Sequence, residues 1–160
     1  MRRYIHILLV LLACVSCRYS SSAPGLHEGD MFVDFSLSSG RSFSDYAGRG
    51  NYVLVYGWAS WSEPSVAQLR RLEEVSADVV SANVIPLALA ICDTPSSAAP
   101  LAAGYAPSVP LAVCESSDPS VLFGEERLPF LMLFGPDGTL LKKNLRWRDL
   151  PKTLRYTVGN

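Results

Sequence analysis

At 160 residues, with 49% apolar and 18% charged residues, the chain suits one compact domain behind a short leader. Its formal net charge is −1, and it has no basic stripe interleaved with aromatics, so nucleic acid is excluded as an expected partner. Its two histidines, His6 and His27, precede the domain and leave no His-centred chemistry to expect within it.

Arg2 and Arg3 open the chain, followed by Ile5 to Ala13, apolar apart from His6. A membrane-spanning helix needs about 20 apolar residues, so this run is too short to span. Its basic-apolar-small order is that of an export signal. Residues 1–17 are therefore predicted to be a signal, 18–28 a polar, turn-rich tether, and 29–160 the folded domain. The cysteines that close the apolar run resemble those of a bacterial lipoprotein signal. That resemblance implies lipid on Cys17, the favoured register, or on Cys14, and a chain facing the periplasm or the cell surface. A plainly secreted form is the alternative.

From Gly29 the pattern turns periodic. Met31 to Leu37 alternates apolar and polar residues and predicts a strand closed by Ser38-Ser-Gly40. Ser42 to Gly48 predicts a single helical turn. Tyr52 to Trp58 is a nearly continuous apolar run, as in a central strand covered on both faces. A helix follows, with Ser62 as its cap, Glu63 at the positive end of the dipole, and Pro64 in the first turn. Val66, Leu69, Leu72 and Val75 form its inner face. Asn83 to Cys92 predicts a second buried strand, and Thr94 to Pro107 a short, broken helical crossover. Val109 to Glu115 predicts another strand and Val121 to Gly124 a short helical piece. Phe130 to Phe134 and Thr139 to Lys143 flank Gly135-Pro-Asp-Gly138, a strong hairpin signal. Asp149 is placed to cap a last helix reaching Val158. Strand-helix alternation ending in a hairpin and a helix predicts an α/β sandwich with a mixed central sheet flanked by helices.

Trp58-Ala-Ser-Trp-Ser-Glu-Pro-Ser65 resembles the Trp-Ala-Thr/Ser-Trp-Cys-x-Pro-Cys segment of thioredoxin-like, membrane-anchored thiol-disulfide oxidoreductases of the TlpA/ResA type. Gly40 to Gly48, Leu128-Pro129 and Pro136-Asp-Gly138 extend the resemblance over most of Gly29 to Val158. It implies a thioredoxin-like fold with that family's extra strand-helix insertion and a cis bond before Pro129. It also implies a groove, lined by Trp61, Leu128, Pro129 and Phe130, that holds an extended polypeptide or partner protein by strand addition. A groove without a ligand is the competing reading.

The two positions that the family fills with cysteine are Ser62 and Ser65. Disulfide exchange needs a thiolate to attack sulfur and a second thiol to resolve the mixed disulfide. Serine supplies neither, and activation of Ser62 as a hydroxyl nucleophile needs a nearby base. The expected function is thus a binding module without the family's redox activity. The alternative is a thiol-disulfide oxidoreductase that uses Cys92 and Cys114. These end two apolar strands in matching apolar-Cys-acid order, and three readings stay open: a structural disulfide, two buried thiols, or a relocated redox pair. Two cysteines 22 residues apart match no usual metal-ligand spacing, so neither metal nor cofactor is expected.

Overall fold

The computed structural model describes residues 25–115, 119–125 and 127–159. The signal, Cys14, Cys17 and most of the tether lie outside them. A 3-10 turn at Phe43–Asp45 precedes strand β1 (Tyr52–Trp58), helix α1 (Glu63–Ser81), strand β2 (Val84–Ile91) and helix α2 (Pro95–Tyr105). Strand β3 (Leu111–Cys114), helix α3 (Pro119–Phe123), the hairpin of β4 (Phe130–Phe134) and β5 (Leu140–Lys142), a 3-10 turn at Trp147–Asp149 and helix α4 (Leu150–Thr157) complete the order.

The sheet runs β3-β2-β1-β4-β5. β1, β2 and β3 are parallel, whereas β4 and β5 are antiparallel to their neighbours. β1 lies in the middle because its apolar run can be buried on both faces. Leu54, Tyr56 and Trp58 point to one face, under Leu69 and Leu72 of α1, Ala98 and Ala102 of α2, and Leu150 and Leu154 of α4. Val53 and Val55 point to the other, into a cluster with Phe43, Phe123, Met132 and Phe134. The alternation is the period-2 geometry of a strand with a layer on each side.

Besides the cap of α1, the chain-order reading differs from the structure at three places. Residues 31–37 form no ladder. Isolated bridges hold the segment at Met31 to Thr139 and at Ser36 to Ser42. Side chains do the rest: Phe35 stacks on Phe43 with centroids 4.9 Å apart, and the Asp34 carboxylate accepts from the Ser44 N–H and hydroxyl, both at 2.8 Å. The crossover is a continuous helix, α2, despite Pro100. Thr94 caps it, accepting from the Ser97 N–H at 3.3 Å, and small alanines let it lie close on the sheet. Asp149 precedes α4 without capping it through its side chain, being itself the end of a 3-10 turn.

One close approach fixes β4 against β1. Gly57 is the register partner of Phe130, and a Cβ on Gly57 would overlap the Phe130 ring. Phe130 is buried and cannot swing away. Gly57→Ala is expected to destabilise the fold by about 1–3 kcal/mol through overpacking. Phe130→Leu should recover part of the loss in a double-mutant cycle read by denaturant unfolding.

Acid should loosen the N-terminal segment. Burial opposes the charge on Asp34, but hydrogen bonds from Ser44, Ser42 and Phe35 outweigh it and lower its pKa below the ordinary value. The Thr139 N–H and hydroxyl lower that of Asp137. A folded-state pKa below the unfolded one gives stability that is present above the unfolded pKa and lost as pH falls through the folded one. Stability should therefore drop below about pH 4, and Asp34→Asn should flatten part of that limb in urea unfolding followed against pH.

Candidate functional site

The loop from β1 into α1 carries the motif. Ser62 takes the N-cap position with extended backbone (φ −101°, ψ 97°), and Pro64 lies in the first turn, where a missing N–H costs nothing. The Ser62 hydroxyl does not cap the helix. It accepts instead from the Ser65 hydroxyl at 2.7 Å. Ser65 is fully buried, and its carbonyl accepts from the Tyr56 hydroxyl at 2.7 Å. Burial pushes the Tyr56 phenol pKa well up, so it stays a neutral donor.

A second strand end locks this loop. Asp93, just after β2, is buried, and its carboxylate accepts from the Ser60 N–H and hydroxyl and from the Thr94 N–H. The Trp61 indole N–H donates to the Cys92 carbonyl at 2.9 Å, so this exposed ring has a fixed edge. Sequence reading missed both clamps. The signal for Asp93 was its place at the carboxyl end of an apolar strand, where ligands and functional loops of α/β sheets gather. Loss of this buried acceptor in Asp93→Ala strands two N–H groups, and thermal or urea unfolding should show a loss of about 2–3 kcal/mol.

The four expected groove residues separate. The Leu128-Pro129 bond is cis. Trp61 is exposed, and Leu128 and Pro129 are half-buried at the entry to β4. Phe130 sends its ring over Gly57 into the sheet's far-face cluster, and it also borders the cleft beside Pro129. Beside Pro129 opens a cleft of about 310 Å³, whose walls include Tyr56, Gln68, Leu145, Arg146 and Trp147. A larger cleft, about 540 Å³, lies between the C-terminal end of α1 and α4, at the other end of the helix from Ser62.

Cys92 and Cys114 do not occupy equivalent positions. The register pairs Cys114 with Ile91, one residue out of step with Cys92. Cys114 is buried among the far-face residues, whereas Cys92 is exposed with a left-handed backbone (φ 51°), and the two are not bridged. Among the described residues no cluster of His, Cys, Asp or Glu is fit to hold a metal ion, and no helix is long and apolar enough to cross a membrane.

A parallel three-strand unit, an antiparallel hairpin, a helix springing from the central strand and a cis-proline at the same sheet edge define a thioredoxin-like fold. No protein-family profile and no curated protein matches the chain. Solved structures do. The thiol:disulfide interchange protein DsbE from Chlorobium tepidum superposes with a TM-score of 0.71 at 21% identity, covering 84% of this chain and 100% of the other. The thioredoxin domain of a thiol-disulfide oxidoreductase from Bacteroides vulgatus gives 0.68 at 18%, covering 84% and 99%. A thiol:disulfide interchange protein from a Bacteroides species gives 0.69 at 17%, covering 84% and 92%. At these identities the likeness establishes the fold.

Proposed function

We propose that this chain is a thioredoxin-like binding module without disulfide-exchange activity, exported and held at a membrane by lipid on Cys17 or Cys14. The observation that carries the reading is the hydroxyl pair of Ser62 and Ser65, 2.7 Å apart at the start of α1, at the end of the sheet where the cis Leu128-Pro129 bond leads into β4. The resemblance places the attacking and resolving thiols there. A hydroxyl neither ionises near neutral pH nor forms a reversible bond to sulfur, so no electron pair passes through this site. What remains is recognition. Leu128 makes no backbone hydrogen bond to the described residues, which leaves its N–H and C=O for an extended segment added as a strand. The order of the leader supports export and lipidation.

The alternative, redox chemistry through Cys92 and Cys114, requires sulfurs that meet. The register offset and the opposite burial of the two residues weigh against it.

Insulin reduction by the mature domain, with dithiothreitol as donor, tests the reading. The wild-type domain should not accelerate precipitation, whereas Ser62→Cys with Ser65→Cys should acquire measurable reductase activity, because the helix start and the cis-proline are already in place. Wild-type turnover that disappears in Cys92→Ser would overturn the proposal in favour of the alternative. A folded double variant that stays inert would show that more than sulfur is missing from the site.

A further inference from the structure

The cleft beside Pro129 does not end at Trp147. It continues into a shallower depression of about 480 Å³, walled by Ala67, Arg71 and Arg148, and the two share Gln68, Arg146 and Trp147. Gln68 and Trp147 form their common floor, the Trp147 indole N–H donating to the Gln68 side-chain oxygen at 2.8 Å. Along α1, Ser65, Gln68 and Arg71 are three apart, so they stack on one side of the helix. The channel therefore runs along α1 from the turn after Ser65 toward Arg71.

Its two ends differ in chemistry. Near the cis-proline the walls are mostly apolar, with Pro129, Phe130, Leu131, Leu145 and Tyr56, and one amide, Asn144, beside them. At the far end stand Arg71, Arg146 and Arg148. Glu74 and Asp149 lie near two of them, at 3.7 Å from Arg71 and 3.8 Å from Arg148, but these are exposed pairs. Such pairs contribute well under about 1 kcal/mol each and yield readily to another acceptor. Arg146 is exposed, and its side chain makes no ion pair or hydrogen bond to a described residue. Glu63, the acid at the N-terminal end of α1, lies eight residues before Arg71, or about 12 Å along the helix.

We infer that this channel binds an extended acidic polypeptide segment, apolar where it meets Leu128 and Pro129 and carrying Asp or Glu where it meets Arg71, Arg146 and Arg148. The inference deepens the binding-module reading and rests on it. Guanidinium groups pair with carboxylates in two-point geometry, and Arg in place of Lys favours that pairing at a partly desolvated surface. Trp147 adds a flat apolar wall over which a peptide backbone can lie.

Panning a phage-displayed library of random decapeptides on the mature domain tests this with the partner still unidentified. Selected peptides should be enriched in Asp and Glu toward one end. A synthetic copy of one of them should bind about tenfold or more weakly to Arg146→Glu/Arg148→Glu, and Gln in place of its acids should weaken binding to the wild type similarly. Affinity should also fall as salt screens the contact. Both arginines are exposed, so circular dichroism and the thermal midpoint should stay unchanged, and Arg146→Gln/Arg148→Gln should give a smaller loss.

Selection of uncharged peptides whose binding is lost in Leu128→Asp but kept in the charge-reversed variant would overturn the acidic specificity and leave the binding module standing. No selection at all would overturn both. Arginine-dependent binding to phosphatidylglycerol vesicles, without acidic peptides among those selected, would overturn the inference in favour of an anionic membrane surface.

Discussion

Strand β1 has a neighbour on each side and a packed layer over each face, and the other elements take their places from it. It pairs with β2 over its whole length and with β4 from Val53 to Gly57. A seven-residue strand with six buried positions cannot sit at an edge or face water on one side. Helices must therefore cover one face, and the aromatic cluster around Phe43 and Phe123 must cover the other. The missing Cβ of Gly57 is what lets the Phe130 ring cross the strand. Filling that space would push β4, and with it the cis Leu128-Pro129 bond, away from the start of α1.

The site is the place where β1 runs out of sheet. One buried residue, Ala59, separates its last position, Trp58, from Ser60 and Trp61, each tied to the end of β2, by the Asp93 carboxylate and the Cys92 carbonyl respectively. Tyr56, two residues before the end of β1, reaches back to the Ser65 carbonyl. Three anchors from two strands thus hold the first turn of α1. None of them uses the Ser62 or Ser65 side chain. A rigid turn presenting two hydroxyls costs the fold nothing beyond their burial, and Ser65 meets its own requirement by donating to Ser62.

The architecture was legible where the signal is one of periodicity and turn chemistry. The run from Tyr52 to Trp58 announced a central strand, and Gly135-Pro-Asp-Gly138 announced the hairpin, because burial on both faces and tight turns each demand particular residues. The segment from Met31 to Leu37 misled because alternation records which side chains are buried, not whether the backbone has found a partner strand. Its phenylalanines are drawn to Phe43, and Asp34 replaces ladder bonds with bonds to Ser44. Phe130 serves two surfaces: it borders the cleft at the cis-proline, as adjacency suggests, while strand alternation sends its ring to the far face. The cysteines misled through matching neighbours, since identical strand endings do not fix register. The pairing of Ile91 with Cys114 is set by where β3 begins. The arginine channel left no local signature at all. Its members come from positions 71 and 146–148 and meet only because α1 and the segment after β5 pack side by side.

The channel is shaped by Tyr56, Gln68, Pro129 and Trp147, held in turn by the Tyr56 bond to a backbone carbonyl and by the Trp147 bond to Gln68. Disulfide exchange needs two sulfur atoms at the first turn of α1, which none of these side chains supplies. Exchanging sulfur for oxygen at positions 62 and 65 changes atom size slightly and removes the nucleophile, yet it leaves the anchors of the turn and the floor of the channel untouched. Under the proposed binding role, a surface built this way selects chains without reacting with them. If the proposed acidic segment binds there, the arginines carry more of the interaction, because with no mixed disulfide to trap the segment, its residence time depends on non-covalent contacts alone.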